Sequence, residues 1–134
     1  MNRKRSQAQQ LGGEILNVML HGIHLAIVVF SITGWLFAKT RIAHLILLLA
    51  TLVYWYGFGP ILRRKGWYGH CLITDLQWEL KKRLGHDVPA WGYIKYLTDR
   101  ISGRDTDEKI VDCVTKWVFF SSLAASAILF FMSI

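Results

Sequence analysis

Three stretches of the chain stay apolar long enough to cross a bilayer. Ile15 to Phe37 holds one amide, two histidines and no formal charge, Ile42 to Leu62 holds one histidine and no charge, and Trp117 to Ile134 holds no charge at all. Each is about 18 or more residues long, the length that spans roughly 30 Å of hydrocarbon as a helix. Too little polar sequence remains to hide all three from water. The pattern therefore predicts an all-α membrane protein, a single domain over 1–134 with transmembrane helices at about 15–37, 42–60 and 110–134.

The intervening segment, 61–109, carries helix punctuation and predicts two short amphipathic cytoplasmic or interfacial helices. In ITDLQWELKKRLG, Thr74 and Gln77 have capping-box spacing, Ile73 and Trp78 sit at staple positions, basic residues fill the last turn and Gly85 terminates. Leu76, Leu80 and Leu84 repeat every fourth residue. In WGYIKYLTDRISG, Ile94, Leu97 and Ile101 share a side with Trp91, Tyr93 and Tyr96 near it, so this helix is expected at the membrane surface with Lys95 and Arg100 toward the headgroups. Asp105 and Glu108 are a capping pair for the last span. In YWYGFGP, at the end of the second span, Tyr54, Trp55, Tyr56 and Phe58 form an aromatic cluster and Pro60 is expected to stop the helix.

The polar residues of the first span are ordered. Asn17, His21, His24, Val28 and Ser31 fall on one helical face, a polar seam that should face protein rather than lipid. Gly22 and Ala26 make a small-xxx-small pair beside it, matched by Ser121/Ala125 and Ser122/Ser126 in the last span. Spans one and three are thus expected to be parallel neighbours, with Ser122 completing the packing seam of Asn17, His21, His24 and Ser31.

Charge adds an orientation. The chain has 134 residues, 53% of them hydrophobic, and carries 16 Lys and Arg for a net charge of +7. Arg3, Lys4 and Arg5 lie in the N-terminal tail and ten basic residues lie between Arg63 and Lys109. The positive-inside tendency makes the N-terminus and the long segment cytoplasmic, and the C-terminus external. Arg63, Arg64, Lys65, Lys81, Lys82 and Arg83 are the candidates for contact with anionic lipids. The basic loop offers no nucleic-acid module. MNRKR before an apolar run suggests a leader, but Glu14 interrupts it and no small-x-small site follows, so the expectation is an uncleaved first span. Neither terminus carries a lipidation motif.

Two histidines three residues apart raise a haem or pigment. With a turn near residues 38–41, His24 lies level with Trp55 and His44 with Trp35. The two imidazoles then differ in depth by roughly 15–18 Å, and one iron cannot take both. His24 hydrogen-bonded to Tyr54, Tyr56, Ser121 or Ser122, with no cofactor, is the leading reading. His24 as an axial ligand of haem or a bacteriochlorophyll-type pigment is the alternative. His21 and His24 lack a nearby carboxylate or thiolate for a metal. Cys71 and Cys113, 42 positions apart, form no CxxC and read as reduced structural thiols. His70, Cys71, Asp75, His86 and Asp87 are the one concentration of catalytic residue types, though adjacent His70 and Cys71 make a poor base and nucleophile.

His24-Leu25 with Phe30 and Gly34, His44-Leu45, and Cys71, Thr74 and Leu76 followed by Lys82, Arg83 and Gly85 resemble a family of small bacterial inner-membrane proteins of uncharacterised function. That family's pattern is two His-Leu pairs in successive spans and a Cys-Pro-Leu-Thr-x-Leu-Glu motif. The likeness covers roughly residues 20–103, with Leu72 in place of the motif proline and Gln77 in place of its glutamate. It implies a compact inner-membrane protein and brings no activity. The expected function is a non-catalytic accessory or scaffolding subunit with other integral-membrane subunits as partners. The alternatives are a pigment- or haem-binding subunit using His24, and a membrane-surface enzyme or lipid-handling protein using His70, Cys71 and His86.

Overall fold

In a computed structural model, residues 2–62, 71–89 and 92–133 are described. The side chains of residues 2–5, 59 and 62 are not included. Among the described residues there is no strand. The helices are α1 (Asn2–Thr33), α2 (Arg41–Val53), α3 (Gly59–Leu62), α4 (Leu72–Arg83), α5 (Tyr93–Ser102) and α6 (Glu108–Phe131). Three helical stretches are long and apolar enough to cross a membrane: Ser6–Leu36, Ala38–Phe58 and Glu108–Phe131. Their outward faces carry Val18, Ile46, Val53, Trp117 and Ile128, an apolar surface that hydrocarbon, not water, would favour.

Side chains satisfy the carbonyls left over where α1 ends. His44 Nε2 donates to the Ser31 carbonyl at 3.0 Å, Thr40 Oγ1 to Gly34 at 2.7 Å, and Arg41 Nε to Trp35 at 3.3 Å. Because a carbonyl only accepts, His44 carries its proton on Nε2. Gly34 is required here, since a Cβ would sit 2.6 Å from His44 Cδ2 and 2.9 Å from Phe30 Cε2.

The chain does not stop at Pro60. α2 widens into a π turn over Tyr54–Phe58, and Pro60 lies in the first turn of the short α3. The helical run is unbroken from Arg41 to Leu62, and the π turn falls where Pro60, which cannot donate, leaves a carbonyl one turn back without its usual amide. Within the π turn Trp55 packs on Phe119 of α6, with ring centroids 4.6 Å apart, and joins Leu48 in the core between α2 and α6.

α4 starts three residues earlier than its capping-box spacing predicts. Cys71 is the N-cap and its amide donates to Thr74 Oγ1 at 3.3 Å, so Thr74 is the third helical residue rather than the cap. At the other end the amides of Gly85 and His86 donate to Lys82 and Lys81, at 3.1 and 3.0 Å, a Schellman closure with Gly85 at φ +78°. Leu84 lies over α1 at Gly13, where a Cβ would come within 2.6 Å of Leu84 Cδ2.

α5 departs from its expected orientation. Lys95 is only 6% exposed and donates to Asp99 at 2.7 Å and to Asp105 at 2.6 Å, so it faces protein rather than headgroups. Asp99 also accepts from the Thr106 amide and hydroxyl, at 2.8 and 2.5 Å. Lys95 and Thr106 hold its carboxyl down at about 2. This network fastens α5 to the segment before α6. Asp105 pairs with Lys95 two residues before the helix cap. Asp107 caps α6 instead, accepting from Lys109 and Ile110.

Candidate functional site: a histidine and a cysteine at an apolar cavity

The polar seam of α1 meets α4 and α5 from Asn17 to His24, while Val28 and Ser31 line a cavity shared with α6, the neighbour expected from the sequence. Asn17 accepts from Gln77 Nε2 at 3.4 Å. His21 Nδ1 lies 3.0 Å from the Tyr93 hydroxyl, which is also 3.3 Å from the His21 carbonyl. Both contacts are met when Nδ1–H donates to the phenol oxygen and the phenol donates to the carbonyl. Burial first, and Tyr96 second, push the Tyr93 hydroxyl up to about 12, which keeps it a donor.

His24 is the centre of the seam and is 3% exposed. Its ring stacks on Tyr93, with centroids 3.7 Å apart and planes 11° from parallel. Its Nε2 lies 3.3 Å from Cys71 Sγ and 3.4 Å from Thr74 Oγ1, and sulfur and hydroxyl are themselves 3.5 Å apart. α4 can supply these partners because Cys71, Thr74 and Trp78 fall on one helical face, turned to α1, while Leu72 and Leu76 are exposed. Asp75 accepts from the Tyr54 hydroxyl, which ties α4 to the end of α2.

Beside this cluster lies a cavity of about 250 Å³. Val28, Trp55, Leu97 and Val118 are among its apolar lining, and His24, Cys71, Ser31, Thr51 and Thr115 are its polar residues. On α6 the lining is Val114, Thr115, Val118 and Phe119, and neither Ser121 nor Ser122 is part of it. Ser122 and Ser126 are buried in the packing of α6. Ser31 donates its hydroxyl to the Ile27 carbonyl of its own helix. Gly22 and Ala26 are exposed, and a Cβ on Gly22 would meet nothing within 4 Å.

The remaining candidates are dispersed. His44 sits between Ser31 and Gly34, about 10–15 Å of helix rise beyond His24. His86 Nε2 contacts Glu14 Oε1 at 2.6 Å on the surface. The Lys81 ammonium lies over the Tyr96 ring at 4.5 Å, Arg83 pairs with Glu79, and Lys82 is exposed. Arg63, Arg64, Lys65 and His70 lie outside the described residues, as does Trp91. Among the described residues no three His, Cys, Asp or Glu side chains gather as a metal site. The feature that spacing missed is the partnership of Cys71 with His24, which lies 47 positions upstream rather than next to it.

Residues 14–131 match a family described as "Protein of Unknown function (DUF2784)". Searches of the curated proteins and of the solved structures found no match.

Proposed function

This chain belongs to the DUF2784 family, and from that premise we propose that it is an integral-membrane, lipid-handling protein that holds an apolar chain between its helices. The observation that carries this reading is the half-open cavity of about 250 Å³, mostly apolar in its lining, with the paired His24 and Cys71 among its few polar groups. It exceeds the roughly 150 Å³ that accommodates benzene and falls below the roughly 300 Å³ of drug-sized sites. A stretch of hydrocarbon chain with one polar end fits both its size and its polarity.

The test is photolabelling of the purified protein in nanodiscs with a diazirine-bearing fatty acid. Label is expected on Leu97, Thr115 and Val118, and Val28→Phe, which fills the cavity, should remove it while the lipid-facing Ile46 and Val53 remain labelled. Labelling confined to the outward residues and indifferent to Val28→Phe overturns the reading.

Two further readings start from other observations. An accessory subunit of a larger membrane assembly draws support from Gly22 and Ala26, turned outward where a second helix could approach the α1 backbone closely. Purification from native membranes without a stoichiometric partner would remove it. A haem or pigment on His24 is disfavoured, because its Nε2 is directed at Cys71 and Thr74 and the cavity is below drug size. A Soret or pigment band lost in His24→Ala would restore it.

The proposed setting is the bacterial inner membrane with the N-terminus and residues 61–109 cytoplasmic. Exposed Lys82 and Arg83 would then meet anionic headgroups. Labelling of Lys82 and of the N-terminus from opposite sides of sealed vesicles would contradict this orientation.

A further inference from the structure

We infer that Cys71 is a nucleophile that accepts an acyl group onto its sulfur, with His24 as its general base and the cavity holding the acyl chain. This rests on the chain-binding reading above and assigns it a chemistry. The sulfur lies 3.3 Å from His24 Nε2, within reach for proton transfer across a thiol–imidazole pair. Both residues line the same cavity, so the nucleophile stands where the carbonyl end of a bound chain would lie. Stacking on Tyr93 fixes the plane of the imidazole, and the Thr74 hydroxyl, 3.4 Å from Nε2 and 3.5 Å from Sγ, bridges the pair.

The backbone adds a stabilising element. Cys71 is the N-cap of α4, and the first helical bond runs from the Asp75 amide to the Cys71 carbonyl at 3.1 Å. In the same capping box the Thr74 amide faces the Cys71 sulfur, a contact suited to the negative charge of the attacking thiolate.

The reaction balances without an oxidant or a metal. The Sγ proton passes to His24 Nε2, and the thiolate adds to the carbonyl carbon of a long-chain acyl ester or acyl thioester. A carbon–sulfur bond to Cys71 forms as the bond from that carbon to the leaving oxygen or sulfur breaks. His24 returns the proton to the leaving group, which departs as alcohol or thiol.

The full-length protein in nanodiscs is incubated with a long-chain acyl thioester, and separately with a long-chain nitrophenyl ester, and its intact mass is followed. One acyl increment, reversed by neutral hydroxylamine, is expected in the wild type and in Cys113→Ser and not in Cys71→Ser. Reaction with the thioester alone, or with both donors, distinguishes the source of the acyl group and supports the inference either way. His24→Gln is expected to slow acylation on the order of 100-fold while retaining photolabel in the cavity. Failure of both donors to modify Cys71 in a protein whose cavity still takes the diazirine chain overturns this inference and leaves the chain-binding reading standing. Loss of cavity labelling in the wild type overturns both. His24→Gln acylating at the wild-type rate removes the base.

Discussion

Replacing Lys95 with methionine keeps the aliphatic stem and removes the cation from a buried position between two carboxylates. In the wild type Nζ lies 2.7 Å from Asp99 and 2.6 Å from Asp105, with the lysine side chain 6% exposed. Breaking a fully buried pair costs about 3–5 kcal/mol. Here Asp105 is 92% exposed and returns to water, and Asp99 keeps both Thr106 donors. The cost is therefore nearer about 1–3 kcal/mol, read as a thermal midpoint lowered by several degrees in detergent. Because the pair fastens α5, the variant should also loosen the stacking of Tyr93 on His24.

The pH dependence has a definite sign. The Asp99 carboxyl is lowered from 3.8 to about 2, by Lys95 first and Thr106 second. Its contribution is complete above about pH 4 and fades as pH falls toward 2. Lys95 is raised above 10.5 by Asp105 first and then Asp99, so its contribution is complete below 10.5 and fades beyond. The gap between wild type and Lys95→Met should be widest between those limits and close on either side. Equal midpoints at pH 7, or a gap unchanged at pH 2, would refute the assignment of Lys95 as a buried clamp.

Gly34→Ala drives a methyl into the His44 and Phe30 rings and should cost about 1–3 kcal/mol in denaturation, whereas Gly13→Ala, which meets the movable end of Leu84, should cost less. Removing the imidazole in His44→Ala leaves the Ser31 carbonyl without its donor, an expected loss of about 1–3 kcal/mol that His44→Gln should partly recover. Difference absorbance should report the Tyr93 phenolate at about pH 12, and the part of stability due to neutral Tyr93 should be intact below about pH 10 and lost as pH rises toward 12. Titration of every tyrosine near 10 would contradict the burial that keeps this hydroxyl protonated.

The spans and the polar face of α1 were legible because each is a local regularity: uncharged apolar runs, and polar residues every three or four positions. What closes that face was not. Tyr93 and His21 are 72 positions apart and Gln77 and Asn17 are 60 apart, and spacing says nothing about contacts of that range. Adjacency offers Cys71 only His70, and depth along the spans offers His24 Tyr54, Tyr56, Ser121 or Ser122, whereas the contact made is between Cys71 and His24. A signal was present in Cys71, Thr74 and Gln77, polar residues on one face of a helix otherwise bearing exposed leucines. Two overlapping capping boxes, starting at Cys71 and at Thr74, fit the same stretch, and only packing chooses the earlier. Lys95 read as a surface anchor because amphipathic helices carry such lysines. Asp99 one turn on and Asp105 beyond the glycine cap were the sequence's indication that it would turn inward.

The docking of α4 along α1, which brings Cys71 to His24, can be tested by a disulfide. A Cβ on Gly13 would lie 3.4 Å from Leu84 Cγ, a separation that a Gly13→Cys, Leu84→Cys pair can bridge in the Cys71→Ser, Cys113→Ser background. Mild oxidation in native membranes should link the two, so that cleavage between α1 and α4 no longer separates the fragments without reductant. Separation after oxidation, with an exposed Val18→Cys, Leu76→Cys pair linking instead, would contradict the fold and the site built on it.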